Sequence, residues 1–109
     1  MMDLLHARCQ SQDGTPMGEA DVRSHLAEVS GWQRIDGAIE KTFSFRDYHE
    51  TIAFVNALAW IAHAEDHHPE LRVTYDRCVA RFSTHSVGGL SRNDFICAAK
   101  ADALVSFLA

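Results

Sequence analysis

Alternating apolar and polar residues predict a first β-hairpin in the middle of the chain. Segments 32–35 and 39–45 lie on either side of Asp36-Gly37, a dipeptide typical of two-residue hairpin turns. Because successive side chains of a strand point to opposite faces, one face of this hairpin should be buried. Lys41 interrupts the apolar alternation of the second segment, which indicates a strand near a sheet edge or a pocket rim.

The same alternation predicts a second hairpin further along the chain. Apolar residues alternate over 71–75 and again over 78–82, and Asp76-Arg77 between them would turn the chain. This hairpin is expected to end at 83–85, and Gly88-Gly89 should then bend the chain.

Three other segments have apolar residues at the three- and four-residue spacing of an α-helix. The first starts at Glu19 and is expected to close at Ser30-Gly31, where glycine can adopt the left-handed conformation that follows a helix. The second opens with a capping-box pattern at 47–50 and should stop near His68, because the next residue is proline. The third follows another capping-box pattern, at 91–94.

The resulting order of elements is αββαββα, with the strands in two hairpins rather than in crossover units. Helices packed on one face of a four-stranded antiparallel sheet, an α+β fold, is the expected architecture. Residues 1–18 have no periodic pattern and should form an irregular arm, loose or dependent on a partner, before a single domain over 19–109. The apolar surface of the second helix, which includes Trp60, is wider than one sheet face requires and favours a homo-oligomer.

Composition narrows the classes of function. A hydrophobic content of 47% excludes a disordered chain, and a length of 109 residues fits one domain. A formal net charge of −5 argues against nucleic acid as a direct ligand. We find no membrane-spanning apolar run and no secretory signal pattern. Three widely separated cysteines without a CxxC spacing favour a cytoplasmic location.

Candidate chemistry is concentrated in residues 62–69. This segment contains His63, His67 and His68 where the long helix should end, and His85 follows a strand whose end could lie nearby. Imidazoles with an unperturbed pKa of about 6.5 can supply a base and an acid at neutral pH, so proton transfer without a metal is one interpretation. A metal site built from His63, His67 and His85 is the rival, although no HExxH pattern or cysteine pair supports it. Ordinary surface histidines are a third interpretation.

A longer motif resembles a known family. The pattern consists of His63-x3-His67-His68-Pro69, then Tyr75, then Ser83-Thr84-His85, then Gly89-Leu90-Ser91 and Asp94. It resembles the signature of the pterin-4a-carbinolamine dehydratases, particularly their bacterial branch, and the resemblance extends over residues 19–107. His63 and Ser86 differ from the animal pattern, in which acidic residues are often found at these positions.

The resemblance implies a dehydratase that converts 4a-hydroxytetrahydrobiopterin to quinonoid dihydropterin and so recycles the cofactor of aromatic amino acid hydroxylases. By position, His67 and His85 match the acid/base histidines, and His68 matches a histidine that holds the pterin. The implied pterin-binding residues are Asp66, His67, His68, Ser83, Thr84, His85 and Ser86, with His63, Pro69 and Asp94 in supporting roles. Asp94 also occupies a capping position, so helix initiation and pocket shape are preferred to proton transfer as its role.

The family implies further expectations about cofactors and partners. The pterin is the substrate, and no metal or other cofactor is expected. Family members form dimers and tetramers, and animal members also act as dimerisation cofactors of a homeodomain transcription factor. The alternative function is therefore a non-catalytic module for pterin binding or protein interaction, although the complete set of histidines favours the enzyme.

Overall fold

The order of elements in the structure is αββαββα, as the sequence predicts. A computed structural model describes residues 3–108, so Met1, Met2 and Ala109 lie outside the described residues. The elements are α1 (Glu19–Leu26), β1 (Gln33–Ile35), β2 (Ala38–Ser44), α2 (Tyr48–Glu65), β3 (Glu70–Val73), β4 (Arg77–Phe82), a single 3₁₀ turn (His85–Val87) and α3 (Arg92–Leu108). No helix within residues 3–108 is long and apolar enough to cross a membrane.

The four strands form one antiparallel sheet in the order β1-β2-β4-β3. Alternate residues of the two central strands, among them Ile39 and Phe82, are buried on the face that meets the helices. Phe54 of α2 and Phe95 of α3 are fully buried in the same core. Burying an aromatic side chain of this size contributes about 1.5–3 kcal/mol, so this layer supplies much of the stability. The predicted α+β architecture is confirmed.

Turn chemistry predicts the first hairpin correctly and the second one only approximately. Asp36 and Gly37 have φ values of 48° and 77°, as a two-residue hairpin turn with two positive φ angles requires. In the second hairpin the last strand pair is Val73 with Cys78, and the loop between them is centred on Tyr75 rather than on Asp76-Arg77. Tyr75 is therefore 64% exposed in a turn instead of lying in a strand.

Lys41 lies where β2 has a partner strand on one side only, which agrees with the expectation of a position near a sheet edge. The pairing of β2 with β1 stops at Glu40, whereas its pairing with β4 continues through Lys41 to Ser44. Lys41 points to the buried face, where its Nζ donates to Asp102 Oδ1 at 2.8 Å and to the Ser30 carbonyl at 3.0 Å. Asp102 also accepts from Trp32 Nε1 at 3.1 Å. A cation is tolerated on the core face because α3 supplies a carboxylate there.

The first helix ends at Leu26, four residues before the predicted stop at Ser30. Turns continue the chain past it, so that Val29 is buried although it lies outside the helix. Gly31 has the expected positive φ, 86°, but in the loop leading to β1 rather than directly after a helix.

The arm before α1 contains no helix or strand within residues 3–18, and it contacts the domain at several points. Leu4 is buried in the core, and the Cys9 amide donates to Glu65 Oε1 at 2.8 Å. The Gln10 amide donates to Asn93 Oδ1 at 3.1 Å, and Asn93 Nδ2 donates to the Gln10 carbonyl at 2.7 Å. These contacts to α2 and α3 give an unpatterned segment a defined course across the domain.

Candidate active site

The end of α2 positions the first candidate histidine. Asp66 adopts the left-handed conformation (φ 51°, ψ 44°), and the amides of Asp66 and His67 donate to the His63 and Ala62 carbonyls. This pattern closes the helix at Glu65, before the predicted stop near His68. Because the chain leaves the helix there, His67 does not share a helical face with His63. His63 stays exposed on the last turn, with its ring 5.9 Å from that of Trp60.

His67 is fixed by one aromatic ring and one carboxylate. Its ring lies nearly parallel to that of Phe82, with centroids 6.0 Å apart and an interplanar angle of 9°. His67 Nε2 lies 2.6 Å from Oδ1 of Asp94, which is fully buried, while the His67 side chain is 11% exposed. An ionised Asp94 accepts a hydrogen bond from Nε2, which leaves the lone pair of a neutral imidazole on Nδ1.

Asp94 is held by its second carboxylate oxygen. Oδ2 accepts from Thr84 Oγ1 and from the Ser91 amide, each at 2.9 Å. Since the Thr84 hydroxyl gives its proton to Asp94, the 2.7 Å contact between the two hydroxyls has Ser91 Oγ as the donor. The capping box is present with one change: Ser91 Oγ accepts from the Asn93 amide rather than from that of Asp94. Asp94 therefore begins α3, as preferred, and also orients His67.

A polar cavity of about 240 Å³ lies beside His67. Of the predicted site residues, Asp66, His67, Thr84 and Ser86 line it. Its remaining walls come from Glu65, from Asn93 and from residues 9–12 of the arm. Thr84, two residues after the end of β4, and Asp66, directly after the end of α2, therefore line one cavity, as the sequence suggested for these two ends.

His68 and His85 line a second cavity, of about 180 Å³, together with Pro69, Ser83 and Arg81. A third cavity, of about 190 Å³, shares Ser83, His85 and Arg81 with the second and Thr84 with the first. The structure thus brings His68 and His85 together, whereas His67 lines the cavity on the other side of Thr84. Both His68 and His85 are exposed.

The other interpretations of the histidines and cysteines can be compared with this geometry. Within residues 3–108, no group of three or more His, Cys, Asp or Glu side chains is arranged to hold a metal ion. His63 lines none of the three cavities, so it does not join His67 and His85. Cys78 is fully buried in β4, and burial raises the pKa of its thiol, which fits packing rather than nucleophilic chemistry.

Sequence reasoning did not identify several residues of the site. Arg81 could have been identified from the sequence, because it lies on the face of β4 opposite to the buried Phe82 and two residues before Ser83. Asn93 lay inside the predicted capping box but was assigned no role. The arm residues 9–12 had no signal, since their position depends on contacts with residues more than 50 positions away.

Comparison with known proteins agrees with the motif. Residues 15–104 match the family model described as pterin 4 alpha carbinolamine dehydratase. The chain belongs to this family. A provisionally named pterin-4-alpha-carbinolamine dehydratase of Stenotrophomonas maltophilia (strain K279a) is 55% identical over 112 residues, covering 99% of this chain and 97% of the relative. A protein with the same provisional name from Xanthomonas campestris pv. campestris (strain B100) is 56% identical over 105 residues, covering 93% and 89%.

Solved structures show the same fold. A transcriptional coactivator/pterin dehydratase from Brucella melitensis superposes with a TM-score of 0.79 at 32% identity, covering 83% of this chain and 98% of that one. A pterin dehydratase-like protein described as a RuBisCO assembly factor in the alpha-carboxysome gives a TM-score of 0.57 at 24% identity, covering 67% and 84%. The second likeness shows the fold alone.

Proposed function

We propose that the protein is a dehydratase that removes water from 4a-hydroxytetrahydrobiopterin and releases quinonoid dihydropterin. The observation that carries this proposal is the buried Asp94 carboxylate 2.6 Å from His67 Nε2, at the edge of a polar cavity. A buried carboxylate that orients an imidazole is a common arrangement for a general base. Membership of the dehydratase family supports the choice of substrate.

In the proposed reaction His67 and His85 carry the acid/base work on one pterin that spans Thr84, because Thr84 lines both the cavity of His67 and a cavity of His85. Nδ1 of His67 takes a proton from a ring nitrogen of the pterin, and Asp94 stabilises the imidazolium that forms. His85, in its protonated form, gives a proton to the 4a-hydroxyl group, which leaves as water. His68 holds the pterin on the side of His85, with Asp66, Ser83, Thr84 and Ser86 completing the pterin site. Solvent exchange then returns both histidines to their starting states.

The proposed chemistry moves only protons, so we infer that the pterin is the substrate and that no metal or other cofactor takes part. A cytoplasmic location and supply of the substrate by an aromatic amino acid hydroxylase belong to the same proposal. His63 lines none of the cavities, and its proposed role is limited to the last turn of α2. Ser86, in place of the acid often found in animal members, leaves the His67 cavity with less negative charge.

The test is an ultraviolet assay of 4a-hydroxytetrahydropterin decay with and without the purified protein. The wild-type protein should accelerate decay, and His67→Ala or His85→Ala should each lower kcat/KM by about 10²–10⁴. The double variant should lose less than the product of the single losses if both residues act on one bound pterin. A folded double variant that retains activity within about threefold of wild type would remove this mechanism.

A second candidate function, protein interaction, is favoured by one observation. Trp60 is 70% exposed and lies beside an open groove that is also lined by Leu5, Ile61 and Leu104. A large exposed aromatic residue in an apolar groove is typical of an interface. We propose that this surface forms the homo-oligomer. A folded protein without dehydratase activity that still self-associates through Trp60 would favour an interaction module instead.

A further inference from the structure

Two thiols from distant parts of the sequence lie close together where the arm crosses α3. The Sγ atoms of Cys9 and Cys97 are 3.6 Å apart, although the residues are 88 positions apart in the chain. Cys9 is half-buried on the arm, and Cys97 is fully buried in α3. A disulfide requires about 2.05 Å between sulfurs, so the two atoms would need to approach by only about 1.5 Å. An irregular arm can make this movement without disturbing a helix.

We propose that Cys9 and Cys97 form a reversible disulfide when the protein meets a peroxide, and that this bond fixes the arm against α3. The arm borders a cavity, because residues 9–12 form one wall of the cavity beside His67. In the reduced protein non-covalent contacts hold the arm near Cys9, namely hydrogen bonds, the ion pair of Arg8 with Glu65 and packing of Cys9 against the core. Disulfide formation would replace these reversible contacts with a covalent one. The proposal does not depend on the dehydratase function.

The two cysteines have different parts in the oxidation. Cys9 is the accessible thiol, and its sulfur attacks one oxygen of hydrogen peroxide, which forms Cys9 sulfenic acid and releases water. Cys97 Sγ then attacks Cys9 Sγ; the S–S bond forms, the S–O bond breaks, and the hydroxyl leaves as a second water with the Cys97 proton. Two thiols and one peroxide thus give one disulfide and two waters. The contact with Cys9, together with burial, raises the pKa of the Cys97 thiol, so Cys97 is the second thiol to react.

The third cysteine provides an internal control. Cys78 is fully buried in β4, on the face of the sheet that forms the core, and burial raises the pKa of its thiol. It should therefore remain a thiol while the other two react. Disulfides in cytosolic proteins are usually transient and redox-sensing, which fits a reversible bond between an irregular arm and a helix.

The experiment is peroxide treatment of the whole protein, alkylation of the remaining thiols, digestion and mass spectrometry. We expect a Cys9–Cys97 linked peptide lighter by two hydrogen masses, an alkylated Cys78, and recovery of all three thiols with dithiothreitol. Cys9→Ser, a change on the arm outside the core, should abolish the link and keep the fold. A cross-link between Cys9 residues of two chains, or oxidation of Cys9 without any cross-link, would overturn the proposal.

Hydrogen exchange tests whether the bond fixes the arm. Amides of residues 9–12 should exchange about tenfold more slowly in the oxidised protein than in the reduced one, because local opening of the arm is restricted. Cys9→Ser treated with peroxide is the matched control and should show the rates of the reduced protein. Equal rates in the oxidised and reduced wild-type protein would refute this part of the proposal.

Discussion

Asp94→Asn is the most informative single change, because it alters one atom of a buried group. Thr84 Oγ1 and the Ser91 amide both donate to Oδ2, so the asparagine would keep its carbonyl oxygen on that side. Its amide nitrogen would then face His67 Nε2. Nε2 would have to accept a hydrogen bond instead of donating one, which moves the ring proton to Nδ1. The base proposed for the reaction would be lost although the side chains stay in place.

The expected effects of Asp94→Asn on stability and on catalysis differ enough in size to be separated. A hydrogen bond to a charged group contributes about 1.5–3 kcal/mol to stability, and Asp94→Asn replaces it with a neutral one, so the loss in stability should be at the lower end of that range. Loss of general base catalysis should lower kcat/KM by about 10²–10⁴, or about 3–5 kcal/mol of barrier. The catalytic effect should therefore exceed the effect on the free energy of unfolding.

The assays are dehydratase kinetics, chemical denaturation and nitrogen NMR of the His67 ring. Asp102→Asn is the matched control, since Asp102 lies in the same helix and accepts from Trp32 and Lys41 outside the site. It should lose stability to a similar degree with little change in kcat/KM. If Asp94→Asn leaves the Nε2–H tautomer of His67 and kcat/KM both unchanged, the proposed role of Asp94 is refuted.

Three further predictions follow from the same geometry. In a steady-state assay, His68→Ala should raise KM as well as lower kcat, because His68 is proposed to hold the pterin. The control is His49→Ala, a change of an exposed residue in α2, which should alter neither constant. Dialysis against a chelator should leave turnover unchanged, and a loss restored by zinc would contradict the proton-only reaction. Sedimentation equilibrium should give a mass above the 12.2 kDa of one chain, and Trp60→Glu should lower it towards that value. A wild-type mass of one chain at micromolar concentration would exclude the proposed oligomer.

Elements defined by local patterns could be predicted from the sequence, whereas contacts between distant segments could not. Asp36-Gly37 has the turn geometry that its residues favour, and Asp47 accepts from the Glu50 amide at 2.9 Å as a capping box requires. The ion pair of Lys41 with Asp102 could not be predicted, because the two residues lie 61 positions apart. A rule that relies on neighbouring residues has no access to such a partner.

In the candidate site, too, local features could be predicted, whereas the way the segments come together could not. The positions of His67, His68 and His85 at element ends were predictable, because Pro69 and the alternation of β4 mark those ends. The placement of His68 with His85, and of His67 in a separate cavity, depends on how the chain turns at Asp66. Pattern alone does not show that a non-glycine residue adopts a left-handed conformation there.

The left-handed Asp66 has a consequence for attempts to stabilise this protein. A residue with a Cβ in this conformation costs about 1 kcal/mol relative to glycine, so a search for stabilising changes would select Asp66→Gly. The same change would remove a carboxylate from the wall of the cavity beside His67. At this position glycine would thus favour stability, whereas aspartate keeps the cavity wall complete. Any gain in thermal tolerance at Asp66 is expected to come with weaker binding in that cavity.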